Sequence, residues 1–515
     1  MIEMKKILCI ILSLIMLLSF AACRSSGTEE PTEPEEETTD VTGDIDEVTT
    51  KPSSNAKASF ILPYSEQDSL NPFKAQSQIN RVFTTLLYDS LYTLDTEFSP
   101  VGVLAQSEEI TGDSIIVSLK ESARFSDGSS LNASDVVYSF EQAKESGRYK
   151  ELLSGISSAF ATERFKVKFT LESPDAYALN VLTFPIIEYG SAENDVPLGS
   201  GRYVYSKKSL SYNKNHISGK KPKIKSIGVC SLSERTDFVS SLQIGNVSFV
   251  FRDLADCEVQ RAVAQSIPVA LNNLVYLGVN SESGALSDKV VRQAINLAID
   301  KDNICSQDFQ SYAVRAESPF NPQWKYSREK ESIFDQSEAV ELLEKNGYKY
   351  SSDTDMYRRD KDSKTIRVRI LVSSDNEFRK DAAQSISKYL TQIGFDADVV
   401  SVKRDKFKEM VKEKSFDIYL GEIKLCENMS LSPFFEKSGK AHYGINLKDS
   451  VISSYSEMLS GKKSVAVFEN EFSKALPFIP ICYRQGIVMT SNTLSDNIKS
   501  VSTDVFSNIA EWKMN

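Results

Sequence analysis

The chain has 515 residues, of which 41% are hydrophobic and 25% charged, and a formal net charge of −11. That length exceeds one compact core and implies two or three domains, while the acidic balance excludes a nucleic-acid partner, which needs clustered Lys and Arg. Most of the negative charge is local: ten carboxylates between Glu29 and Glu47 leave the stretch from Lys51 onward close to neutral.

Lys5 and Lys6 precede an apolar run from Ile7 to Leu18 that ends in Phe20-Ala21-Ala22-Cys23. A positive start, a run of this length and small residues before a cysteine predict a signal peptide over residues 1–22. A transmembrane anchor is the alternative, and the run is at the short limit for one. A cysteine directly after Ala-Ala resembles the lipobox of bacterial lipoproteins. That likeness implies lipid on Cys23 and a mature protein held at the outer face of the cytoplasmic membrane, on the extracellular or periplasmic side, without spanning it. Residues 23–57 are Thr, Glu, Pro, Ser and Asp with few large apolar side chains, so they predict a disordered acidic tether.

Ala58-Ser59-Phe60-Ile61-Leu62 predicts a strand leading into Tyr64. Leu70-Asn71-Pro72-Phe73 follows, then a helix with Val82, Phe83, Leu86, Leu87 and Leu91 on one face. Residues 114–119 alternate as a strand should, and Phe125-Ser126-Asp127-Gly128 forms a turn with Gly128 suited to the left-handed position. Asn132 to Asp135 reads as a capping-box helix start, with Val136, Val137 and Phe140 on the buried face. Asp127 and Asp135 are therefore read as a turn residue and a helix-start residue, not as a catalytic pair. Phe165, Val167, Phe169 and Leu171 mark another half-buried strand.

Leu274 to Asn280 predicts a buried strand, and a helix begins near Ser287 or Asp288, either able to cap it. Val290, Val291, Ala294, Ile295, Ala298 and Ile299 form its apolar face, so Arg292, Gln293 and Asn296 point elsewhere. Further on, Asp335 and Glu338 can cap a helix that stops at Gly347. Residues 366–372, 395–402 and 416–420 are strands, and a helix from Phe378 ends at Gly394. Strand, helix, strand at this spacing implies a parallel sheet with a right-handed crossover.

Several of these segments share their wording with one family. Phe125-Ser126-Asp127-Gly128 followed by Asp135-Val136-Val137-Tyr138-Ser139 resembles the extracellular solute-binding proteins of ABC transporters, family 5, the group of the oligopeptide-, dipeptide- and nickel-binding proteins. So do Leu70-Asn71-Pro72 with Tyr88 to Leu91, and Tyr276-Leu277 with Asn280, Asp288, Val291 to Ile295 and Ala298 to Asp300. Residues 477–483 resemble the family's return to its first lobe. The likeness runs from Lys51 onward.

The resemblance implies an α/β, two-lobed periplasmic-binding-protein-like fold of type II with an extra subdomain. Residues 58–274 with 481–515 would form one lobe and 275–480 the other, joined by a hinge of two crossings. It also implies capture of a solute, short peptides foremost, between closing lobes. Delivery would be to a membrane permease whose ATPase subunits are separate chains, with the binding protein a monomer. A metal chelate or an oligosaccharide as ligand stays open, as does a surface receptor that senses its ligand without transport.

No enzyme motif accompanies these elements. His216 and His442 have no partner spacing for zinc or a nucleophile relay, and no nucleotide loop, cofactor site or metal site is expected. Cys230, Cys257, Cys305, Cys426 and Cys482 could include a disulfide, but their apolar settings favour small buried hydrophobes.

The ligand candidates come from the lobe faces and the crossings. Pro197 to Tyr203 resembles the family's glycine-rich turn with Arg202 in place of its proline, and Arg202 faces either the cleft or solvent. Peptide-binding members carry Gly-Trp after the strand here ending at Leu420, and then an aspartate that pairs with the peptide's amino terminus. In this chain Glu422 stands at the tryptophan and Leu425 near the aspartate, and Glu427 is the carboxylate able to take over the amine. The candidates are therefore Tyr64, Arg202, Glu422, Lys424, Glu427, Asn428, Tyr483 and Arg484, and for each a core or solvated role is the plainer reading.

Overall fold

Two long strands, Gln265–Val279 and Phe478–Thr490, hold the architecture together. They are apolar and rich in β-branched and aromatic residues, and they pair antiparallel along most of their length, with register shifts after Val269 and Val275. The computed structural model describes residues 59–232, 238–255, 265–282, 284–327, 330–352, 354–494 and 497–514. The predicted signal peptide, Cys23, the acidic tether and Cys257 lie outside the described residues.

Each long strand is shared between two cores. Val269, Leu271 and Val488 pack with Phe60, Leu62, Phe249 and Trp512. Leu274, Val275, Leu277, Phe478, Ile479 and Ile481 pack instead with Ile370, Ile386, Leu390 and Phe468. The fold is thus α/β and two-lobed, and the main chain passes between the lobes along strands already hydrogen-bonded to each other. A third cluster, around Val117, Phe140, Phe169 and Phe184, fills the subdomain of the first lobe.

Around the long strands a seven-stranded sheet runs in the order Phe249–Asp253, Phe478–Thr490, Gln265–Val279, Ile418–Lys424, Arg367–Ser373, Asp396–Val402, with Ala313–Arg315 pairing onto Phe478–Thr490. Arg367–Ser373 is parallel to both Asp396–Val402 and Ile418–Lys424, as the spacing predicted. Both long strands run antiparallel to their neighbours, which makes the sheet mixed. In the first lobe, Ile61–Tyr64, Ser226–Ser231, Ser209–Tyr212 and Tyr203–Ser206 form one four-stranded sheet. Ala105–Thr111, Ser114–Leu119, Lys166–Leu171 and Ile156–Glu163 form another.

The sheet is joined at one point by reciprocal glycine–tyrosine pairs. Tyr276 lies opposite Gly421, and Gly278 opposite Tyr419. A Cβ on Gly278 would fall 2.1 Å from the Tyr419 ring, and one on Gly421 2.8 Å from Tyr276. The missing side chains let both rings cross, edge to face, with their hydroxyls 3.1 Å apart.

Local capping chemistry acts where the sequence places it. Asn132 and Asp135 form a reciprocal capping box on helix Ala133–Glu145. Asp288 caps Lys289–Ala298, Asp335 caps Gln336–Lys345, and Gly347 and Gly394 take φ of +90° just beyond their helices.

Two expectations change. The helix expected through Leu91 is Gln78–Phe83 with one further tight turn over Thr84–Leu86. The Thr84 and Thr85 hydroxyls bond back to the carbonyls of Arg81 and Val82, and the Leu87 carbonyl accepts the Gly201 N–H at 2.9 Å, so a further helical turn has no partner. Arg292 does not point outward. It is 5% exposed and donates to the carbonyls of Leu286, Ser287, Ala475 and Leu476, holding the C-terminal end of helix Val465–Ala475.

Candidate functional site

A cavity of about 1080 Å³ opens among residues of the first lobe and one short stretch of the second. The first lobe supplies Arg81, Thr85, Arg148, Tyr149, Arg202 and Asp253 among others. The second supplies Lys424 to Glu427.

Arg148 is placed by the turn that ends helix Ala133–Glu145. The Ser146 hydroxyl donates to the Ala143 carbonyl and accepts the Tyr149 N–H at 3.1 Å, turning the chain so that Arg148 faces the cavity. Its guanidinium carbon lies 4.9 Å from the centre of the Tyr149 ring, and that ring packs edge-on against Phe73. Nη1 of Arg148 is buried and has no hydrogen-bond partner among the described residues. A buried donor of this kind costs free energy until an acceptor arrives.

The facing stretch is fixed through its main chain. Asn272 accepts the Leu425 N–H on its carbonyl and donates its side chain to the Cys426 carbonyl at 2.8 Å. Asn180 of the first lobe donates to the Glu427 carbonyl at 2.9 Å. Burial raises the Glu427 carboxyl, against the opposing pull of Lys424 and Arg148. Burial also pushes the Cys426 thiol up to about 12, which keeps it an unreactive thiol.

The sequence candidates divide. Arg202, Lys424 and Glu427 line the cavity. Arg202 faces the cavity but is committed to the protein, donating at 2.8 Å to Asp504 and to the Phe506 carbonyl. Lys424 is 3.9 Å from Asp253 and its side chain is 55% exposed.

Tyr64, Glu422, Asn428, Tyr483 and Arg484 do not line the cavity. Tyr64 is buried and donates to Glu66, and Tyr483 is buried and donates to the Pro319 carbonyl. Asn428 donates to Asp175 at 2.7 Å. Glu422 lies between Arg379 at 3.0 Å and Arg484 at 3.5 Å, inside the sheet.

Sequence reasoning did not single out Arg81, Arg148 or Tyr149. They belong to no motif: Arg81 sits inside helix Gln78–Phe83, and Arg148 and Tyr149 in the turn that follows helix Ala133–Glu145. Cys230, Cys305, Cys426 and Cys482 are free thiols. Among the described residues no group of three or more His, Cys, Asp and Glu is placed to hold a metal ion, and no helix is long and apolar enough to cross a membrane.

The sequence model of the family described as bacterial extracellular solute-binding proteins, family 5, middle, matches residues 99–425. A glutathione-binding protein GsiB of Pectobacterium atrosepticum is 27% identical over 321 residues, 57% of this chain and 62% of that one. The GsiB of Escherichia coli K12 is 24% identical over 375 residues, 67% of this chain and 70% of its own. The chain therefore spans less than two thirds of the length of the Pectobacterium relative.

Solved structures show the same fold. NikA from Brucella suis, in complex with Fe(III)-EDTA, superposes with a TM-score of 0.69 at 18% identity, covering 88% of this chain and 100% of that one. The oligopeptide-binding protein AppA from Bacillus subtilis, in complex with a nonapeptide, gives 0.57 at 19% identity, with 89% and 99% covered. The murein tripeptide-binding protein MppA in its unliganded open form gives 0.72 at 13% identity, with 89% and 97% covered.

Proposed function

The chain belongs to family 5 of the bacterial extracellular solute-binding proteins, and we propose that it captures short peptides or peptide-like solutes between its lobes and delivers them to an ABC importer. Members of this family bind small ligands and interact with a permease; the transforming chemistry of an enzyme is not their role. The observation that carries the ligand class is the Arg148 guanidinium, whose Nη1 is buried with no hydrogen-bond partner among the described residues, at a cavity of about 1080 Å³. Its planar fork suits a carboxylate, which every linear peptide and glutathione carry.

Residues 58–274 with 481–515 act as one lobe and 275–480 as the other, closing on the ligand because the ligand binds the closed state better. Cys23 carries lipid and the acidic segment to residue 57 tethers the body. Replacing Cys23 by Ser releases the protein from membranes or blocks its processing; a variant that stays lipid-labelled and membrane-bound removes the lipobox from the reading.

Ligand identity is tested by mass spectrometry of what is released when protein purified natively from cells is denatured. The expected result is one or a few short peptides with free carboxylates. A single carboxylate-bearing metal chelate, which the same arginine would suit, overturns the peptide class and keeps the binding role.

A further inference from the structure

Two segments meet between the lobes, and each is anchored in its own core. Ala178, Leu179, Val181 and Leu182 pack with Phe140 in the subdomain of the first lobe. Leu425, Met429 and Leu431 pack with Ile370 and Leu390 in the second. The Asn428 side chain donates to Asp175 at 2.7 Å. The Asn180 side chain donates both to the Phe98 carbonyl at 2.8 Å and to the Glu427 carbonyl at 2.9 Å. Beside them the Ala176 N–H donates at 2.7 Å to the carbonyl of Leu459, the last residue of helix Asp449–Leu459. The Tyr177 ring stands edge-on to Trp324 of the second core, 4.8 Å between centres.

Burial separates these bonds from the other polar contact between the same parts of the chain. Lys440 and Glu151 form an ion pair, but both side chains are more than half exposed, and such pairs contribute little. Asn180 is 3% exposed, so a carbonyl that loses its amide is left without a partner away from water. Backbone conformation points the same way. Met429 lies in the left-handed region at φ +59° with its side chain fully buried. A non-glycine residue holds that conformation only where its surroundings fix it. Here the second core holds the Met429 side chain, and Asp175 of the first lobe holds the neighbouring Asn428.

Resting on the reading of capture between closing lobes, we propose that Asp175 and Asn180 are positioning residues that clasp Glu427 and Asn428 of the other lobe, so that the protein itself supplies a fixed share of the closing free energy and sets the cavity wall at Glu427 on closure. None of the clasp bonds passes through the solute. Asn428 does not line the cavity, and its amide acts on the open and closed populations alone. A ligand that binds the closed state has its apparent affinity scaled by the closed fraction. Weakening the clasp therefore weakens every solute by one factor and leaves their ranking unchanged.

The test is small-angle X-ray scattering and amide hydrogen exchange of the purified, dialysed full chain without added solute, parent against Asn428→Ala. The variant is expected to show a larger radius of gyration and about tenfold faster exchange in residues 175–182. Strands Lys166–Leu171 and Arg367–Ser373, one from each core, are expected to exchange as in the parent. Parent values for both readouts overturn the clasp and leave capture between the lobes standing. Faster exchange confined to residues 425–431, at an unchanged radius, also overturns it, because Asn428 then braces only its own loop. The solutes released from native protein on denaturation, added back to the parent, separate the two readings. An unchanged radius at saturation removes lobe closure itself, and the clasp with it.

Discussion

Replacing Arg148 by Gln weakens solute binding by about 30-fold or more, roughly 2 kcal/mol, because a buried charge-assisted pair is lost from one side only. The fold is expected to tolerate the change. Arg148 gives the protein one ring contact, on Tyr149, and such a contact contributes about 0.5–1 kcal/mol at a partly exposed site. Its buried Nη1 is unsatisfied in the absence of ligand, so the substitution also removes a cost. Arg202 provides the contrast. It lines the same cavity, but its guanidinium binds Asp504 and the Phe506 carbonyl, so Arg202→Gln loosens the cavity wall and lowers the melting temperature. Titration and thermal melting of the two variants separate the roles. If Arg148→Gln binds like the parent chain, the ligand carboxylate lies elsewhere and the ligand class loses its support.

What was legible in the sequence was local. Helix starts at Asn132, Asp288 and Asp335 were readable because a side chain caps an N–H group only two or three residues away. The strand over residues 274–280 was readable because a strand buried on both faces is apolar without alternation. Gly278 and Gly421 were opaque. Their reason lies in tyrosines more than a hundred residues distant, brought opposite by strand register.

The cavity was half legible. Residues 424–427 follow directly from the strand that ends at the crossing, whereas Arg148 and Tyr149 reach the site through a turn that any surface loop could contain. Glu422 and Lys424 share a face of one strand by the period of two. Only depth separates them, since Glu422 is 3% exposed at its side chain and Lys424 is 55% exposed. Depth is set by the packing of helix Glu377–Gln392, which brings Arg379 over Glu422, and no spacing rule reports it.

Glu422→Ala is expected to destabilise the protein by about 3–5 kcal/mol, because it leaves buried arginine charge without its counter-ion. Arg484 is 1% exposed and lies between the rings of Phe309 and Phe378, at 5.0 and 5.1 Å. Glu422 is its carboxylate neighbour and also binds Arg379. Without Glu422, the nearly buried Arg484 and the largely buried Arg379 both lose their carboxylate partner. Denaturant unfolding should show a lower midpoint with an unchanged slope, the mark of a stability change alone. The double variant Glu422→Leu with Arg484→Met should recover much of the loss, since an apolar pair of similar volume replaces a buried ion pair at little cost. A single variant that unfolds like the parent but binds its solute differently would return Glu422 to the ligand's side. The buried triad argues otherwise: this carboxylate on strand Ile418–Lys424 binds Arg379 of helix Glu377–Gln392 and Arg484 of strand Phe478–Thr490, tying the helix to the sheet.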